Sequence, residues 1–260
     1  VEWTTWAGFA AGLLISTATA PAGVSGAVFL LPVQLSVLAV PSPAVTPTNL
    51  LFNVVAGPGA LWRYRRDGAL RSGLTRRLVV WTLPGVVSGA AVRVLALPGP
   101  AVFRALVAAF LLPLGMWLCL RTLRPARGRA NAAEPPARVL AALALTVGLV
   151  GGIYGIGGGS LLGPVLAARG MPIARIAPAT LAATFTTSLA GATAYAVLAL
   201  GRHGAVAPDL RLGLACGAGG LLGGYVGARL QPRLPDTALR LLLGTLALAL
   251  GALYAAQALA

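Results

Sequence analysis

The chain has 260 residues, of which 58% are hydrophobic and only 10% charged, and its formal net charge is +15. A soluble globular domain carries about 25% charged residues, so this composition argues against a soluble enzyme, a nucleic-acid-binding domain and a disordered chain. Several apolar runs reach the length needed to cross a hydrocarbon core about 30 Å thick, and the mean hydropathy is +0.86. The expected fold class is an all-α polytopic membrane protein, because a helix satisfies its backbone groups internally in lipid.

The first apolar run covers 3–20. It ends in small residues, as a signal peptide does, but begins at Glu2 without a positive region, so it reads as a membrane segment. A Pro/Gly patch, 21–26, separates it from a short apolar piece at 27–40 that Pro32 interrupts. Pro41, Pro43 and Pro47 introduce a helix running to Tyr64, followed by a basic loop ending near Arg77. Further helices are expected at 78–96 and 101–120, with Pro98 and Pro100 marking the turn between them. Residues 121–137 are the most polar stretch and read as a linker. Beyond it come 138–153, a glycine break at 155–159, a short piece at 160–168, and helices at 174–200, 210–230 and 237–258.

Read this way, eight hydrophobic segments form two four-segment repeats, 1–120 and 138–260, joined by the linker 121–137. The first segment of each half is broken or re-entrant. Gly23, Gly26 and Pro32 recur at one constant offset as Gly155, Gly158 and Pro164. Pro47 and Leu50 recur as Pro178 and Leu181, and Arg104 and Gly115 as Arg240 and Gly251. Internal repeats with interrupted helices are a transporter pattern.

Every basic residue is Arg, and the arginines cluster between apolar runs, as at Arg63–Arg77 and Arg121–Arg138. Such loops mark the cytoplasmic side. Two topologies are compatible with them. If all eight segments cross, the halves are parallel and both termini are cytoplasmic. If segments 1 and 5 double back as hairpins, the halves are inverted and the arginine bias is stronger. A straight helix over 139–169 would be about 46 Å long, which already demands a bend. The segment count favours eight, with the path of segments 1 and 5 left open.

Three consecutive glycines break a helix, and in a membrane the freed backbone must face protein, water or ligand. Gly157, Gly158, Gly159 and Ser160 would open a half-helix whose N–H groups suit an anion; a purely structural kink is the alternative. The following helix carries Thr180, Thr184, Thr187 and Ser188 at helical spacing, although such hydroxyls also bond their own backbone. The corresponding candidates in the first half are Ser25, Gly26, Asn49 and Asn53, with Asn53 the strongest, because an amide in an apolar helix needs a partner. Gly219, Gly220, Gly223, Gly224 and Gly227 read as close helix packing.

No acidic residue sits centrally in an apolar segment, which argues against a carboxylate relay and suits an anionic solute. His203 is alone, Cys119 and Cys216 make no metal motif, and without lysine there is no nucleotide loop. No catalytic set, metal site or cofactor is expected.

The run Gly155-Ile156-Gly157-Gly158-Gly159 with Pro164, followed after Gly170 by the small-residue helix 177–188, resembles the sulfite exporter TauE/SafE family, also called the toluene sulfonate uptake permease family. The family's Gly-Thr-Ser at the start of that helix stands here as Pro178-Ala179-Thr180, and Gly23-Val24-Ser25-Gly26 replaces the glycine cluster in the first half. The resemblance spans nearly the whole chain. It implies a bacterial inner-membrane, multi-pass carrier of small anions such as sulfite or sulfonates. The expected partners are that anion and membrane lipids, not nucleic acid, with the coupling ion and any homo-oligomer open. Carriage by alternating access is the first reading; a non-transporting assembly module and an anion channel are the alternatives.

Overall fold

The computed structural model describes residues 2–95, 100–123, 134–200 and 207–259. Among them the structure is helical, without strands: α1 (Glu2–Thr19), α2 (Ala27–Ser36), α3 (Ser42–Arg66), α4 (Gly73–Leu95), α5 (Pro100–Leu123), α6 (Ala137–Tyr154), α7 (Leu162–Ala168), α8 (Ile173–Leu200), α9 (Leu210–Leu230) and α10 (Asp236–Leu259). Four stretches are long and apolar enough to cross a membrane: Gly73–Val94, Ala137–Tyr154, Ile173–Leu198 and Asp236–Gln257. Eight hydrophobic segments were expected, and these four are the ones that length and composition identify among the described residues.

The ends of the helices follow local chemistry. Pro41 and Pro136 occupy the N-cap positions of α3 and α6, where a missing N–H costs nothing. α3 therefore begins earlier than Pro47, and Pro43 and Pro47 lie inside its first turns. Asp209 caps α9 by accepting from Leu212 N at 2.9 Å. Most of the linker, 124–133, and the turn residue Pro98 lie outside the described residues, as does His203.

Glycines set how closely the helices pack. A Cβ on Gly12, Gly219 or Gly223 would overlap the backbone of the facing helix, which is how small residues bring membrane helices together. The same approaches fix helix direction. Gly8 lies against Leu212 and Cys216, Gly223 against Leu13 and Thr17, and Gly227 against Thr17 and Pro21, so α1 and α9 run the same way. Gly213 meets Leu51, Gly217 meets Val55 and Gly224 meets Ala60, so α3 shares that direction. Gly148 and Gly152 meet Thr82 and Val86, making α4 and α6 parallel. α8 runs against α3, because Gly57 meets Phe185 and Gly191 meets Leu50. α5 and α10 are antiparallel through Gly115–Leu248 and Leu112–Gly251.

The path of the broken segments follows from these directions. α1 and α3 are parallel, so the chain between them must return. Ala20 reaches the end of α3, where its carbonyl accepts from Tyr64 Oη at 3.3 Å. Ser25 is already back at Asn53, and Ala27 at Asn49. The topology in which every segment crosses once requires α3 to oppose α1, and a parallel four-plus-four arrangement requires α8 to follow α3. The observed directions, α1 along α3 and α8 against α3, meet neither requirement. The helix directions are those of segments that double back.

A polar cavity beside the start of α2

α2 starts in the interior of the bundle. Gly26 is its N-cap residue, and Ser25 Oγ accepts from Ala27 N at 3.2 Å while its own hydroxyl donates to Asn53 Oδ1. One turn along α3, Asn49 Nδ2 donates to Ala27 O at 3.0 Å. Two asparagines on one face of α3 thus hold the first turn of α2.

Beside this turn lies a cavity of about 30 Å³, bounded by α1, α3, α8, α9 and the 23–26 bend. Its polar lining comes from Ser16, Thr19, Ser25, Asn53 and Thr184, and its apolar walls include Phe52 and Phe185. It reaches from Ser25 and Asn53 at mid-helix to Ala60 and Gly224, within two turns of Arg63 and Arg229. Asn53 is 2% exposed and Thr19 1%, and neither Asn53 Nδ2 nor Thr19 Oγ1 has a hydrogen-bond partner. An unmade buried hydrogen bond costs about 1–3 kcal/mol, so two such groups around one cavity point to a guest that satisfies them. The amide offers two donors and the hydroxyl one.

Four sequence-predicted residues therefore meet at one space: Ser25, Gly26, Asn53 and Thr184. Asn49 lies just beyond, as a tie. The glycine break of the second half is placed differently. Gly158 N donates to Thr187 Oγ1 at 2.9 Å, so this N–H is already used. Gly157 packs against Thr184 and Ser188, and Gly159 against the Thr180 carbonyl. The helix it opens, α7, is only 7 residues long and presents no anion site of its own. Thr180 Oγ1 reaches the Gly23 carbonyl at 2.7 Å and the Ile176 carbonyl at 3.0 Å. Ser160 Oγ donates to the Ile156 carbonyl and stands 3.3 Å from Thr184 Oγ1. Gly157, Gly158, Gly159, Ser160, Thr180, Thr187 and Ser188 thus line no part of the cavity.

Thr19 and Ser16 were missed by sequence reasoning. Their only signal was a run of hydroxyls at the end of the first apolar segment, which reads as ordinary helix back-bonding; Thr17 does that, donating to the Leu13 carbonyl at 2.7 Å. The glycines of α9 have two roles: Gly219, Gly223 and Gly227 pack on α1, whereas Gly220 and Gly224 also border the cavity.

Among the described residues, none that lines the cavity is charged. Three of the five acidic residues form ion pairs: Asp67 with Arg63 at 2.5 Å, Asp236 with Arg240 at 2.6 Å, and Glu134 with both Arg77 at 3.0 Å and Arg175 at 2.9 Å. Arg240 also donates to the Met171 carbonyl at 2.5 Å, and Arg121 to the Ala168 carbonyl, closing the end of α7.

Comparison with known proteins gives one match. The family model described as Sulfite exporter TauE/SafE matches residues 8–254. No curated protein and no solved structure matches the chain.

Proposed function

We propose, from the premise that the chain belongs to the sulfite exporter TauE/SafE family, that it carries a sulfur oxyanion or small sulfonate through the cavity beside α2 by alternating access. Members of this family are non-catalytic transporters of small anions, and the chain is a small-anion membrane transport protein, not an enzyme. The observation that carries the finer reading is the pair of unpartnered donors, Asn53 Nδ2 and Thr19 Oγ1, buried on one cavity at a helix start. Ser25, Gly26 and Thr184 complete the shell. Gly157–Ser160 act as the bend that lets α6 and α7 pack on α4 and α8. Thr187 holds that bend through the Gly158 N–H, Ser188 and the Thr180 carbonyl pack against Gly157 and Gly159, and Asn49 holds α2.

A cavity of about 30 Å³ has room for about one or two waters. A polyatomic anion enters only once α1, α2 or α9 has moved, so we read the structure as a contracted state. Two inverted halves supply that motion. Several contacts support them: Gly23 packs on Ala177 at the start of α8, and Gly155 packs reciprocally on Thr46 at the start of α3. Both glycines hold left-handed φ values, +78° and +70°. α1 packs on α9 as α6 packs on α4, and α3 meets α9 as α8 meets α4. Alternating access is then a rocking of one half on the other around the site.

We assign the arginine-rich face to the cytoplasm. The helix directions gather there the described arginines of the α3–α4 loop, the ends of α5, α7 and α9, and the starts of α6, α8 and α10, leaving Arg93, Arg104 and Arg211 on the other face. Trp62 and Trp117 stack under Arg66 and Arg121 on that face, at 5.5 and 5.4 Å, and exposed Trp3 and Trp6 mark the other, as interfacial tryptophans do. The start of α1 and the end of α10 then lie on the periplasmic side.

The test is flux into proteoliposomes holding the purified chain, with sulfite, thiosulfate, methanesulfonate and toluenesulfonate offered in turn. Saturable uptake of at least one is expected. Flux no greater than in empty vesicles across the panel defeats the reading, and ionic current far above carrier turnover would replace it with a channel.

A further inference from the structure

The cavity is polar but carries no charge, and that limits the charge of its guest. Its donors are one primary amide, Asn53, and the hydroxyls of Thr19, Ser16 and Thr184. The start of α2 adds a partial positive charge of about one half. No arginine stands within the lining. On α3, Arg63, Arg65, Arg66 and Asp67 lie beyond Ala60, and Tyr64 donates to the Ala20 carbonyl. On α8, Arg175 sits at the first turn with Glu134, and Tyr195 donates to the Gly152 carbonyl at 3.1 Å. On α9, Asp209 and Arg211 stand at one end and Arg229 at the other, Tyr225 borders no part of the cavity, and Cys216 lies against Gly8 and Gly12. α1 has only Glu2, at its far end, and α2 has no titratable group.

The cost of burying an ion grows as the square of its charge, so a dianion costs about four times as much as a monoanion of the same size. Ionised donors offset such a cost far better than neutral ones, and here the donors are neutral. We propose that the site admits singly charged oxyanions and refuses dianions, so that sulfite crosses as hydrogensulfite, carrying its own proton. The hydroxyl oxygens of Ser16, Thr19 and Thr184 can accept a hydrogen bond from that proton. Each turnover then moves one negative charge and one proton on the substrate itself, and no side chain of the interior has to titrate. This rests on the cavity being the transport site.

The test uses the full chain in proteoliposomes, with labelled sulfite and methanesulfonate taken up at a series of external pH values and empty vesicles subtracted at each. Methanesulfonate stays a monoanion throughout. Its initial rate should be flat, while that of sulfite at a fixed subsaturating total concentration should fall by about tenfold per pH unit above the pKa of hydrogensulfite. Sulfate, a dianion over the whole range, should neither be carried nor compete. A sulfite rate that holds or rises with pH, or carriage of sulfate, overturns the proposal while leaving transport intact. Flux of none of the three at any pH overturns transport itself, and the proposal with it.

Discussion

The Ser25 hydroxyl donates to Asn53 Oδ1, and this one bond decides which way the Asn53 amide faces. With its oxygen engaged, the nitrogen and its two donors are left without a partner in a residue that borders the cavity. Asn53→Asp keeps the shape and the acceptor for Ser25 but replaces the donors with a carboxylate. It should fold, as read by an unchanged elution profile, yet lose anion uptake by more than tenfold, about 1.4 kcal/mol or more of binding. Uptake within twofold of the unaltered chain would remove Asn53 from the site.

The break of the second half is closed by a different, internal bond. Gly158 N donates to Thr187 Oγ1, which in turn lies 2.6 Å from the Ala183 carbonyl. Thr187→Val strands a buried N–H at a cost of about 1–3 kcal/mol, and Thr187→Ser keeps it paired. Thermal unfolding in detergent should therefore show a clearly lower midpoint for the valine variant and a near-native one for serine. Equal midpoints would mean that this N–H finds another acceptor.

That contrast also explains how much the sequence could tell. The glycine runs locate both breaks, since few other residues tolerate the left-handed turns at Gly23 and Gly155. They do not tell which break is open. The position matching Thr187 in the first half is Ala56, a residue without a hydroxyl that borders the cavity, and only the folded arrangement reveals that this lost methyl-and-hydroxyl leaves space beside Gly26. Thr19 was hidden for a related reason: its hydroxyl lacks the back-bond that Thr17 makes, and a run of hydroxyls in sequence does not distinguish the two. Hydropathy gave most helix spans to within a few residues but carries no information on direction, which is set by the glycine contacts between α1, α3 and α9.

Gly155 tests the reciprocal docking of the two breaks. It holds φ +70°, and a Cβ there would overlap the Thr46 carbonyl of α3. Gly155→Ala should destabilise by more than about 1 kcal/mol, the conformational term alone, because the contact with α3 must also open. Gly73→Ala has nothing within 4 Å of its new methyl and serves as the silent control in the same unfolding assay. A Gly155→Ala midpoint equal to that of Gly73→Ala would separate the break from α3.

The orientation can be read with single cysteines. Cys119 and Cys216 are both free, and Cys119 packs against Gly244 while Cys216 is buried against Gly8 and Gly12, so replacing both by Ala gives a background without thiols. Arg71 is exposed in the α3–α4 loop and Ala207 is exposed just before α9, at opposite ends of the parallel pair α3 and α9. A membrane-impermeant maleimide added to cells with a permeabilised outer membrane should label Ala207→Cys and leave Arg71→Cys unlabelled until the inner membrane is opened. The reverse pattern would turn the molecule over, and labelling of both from outside would mean that these positions share a face, contradicting the hairpin path of α1 and α2.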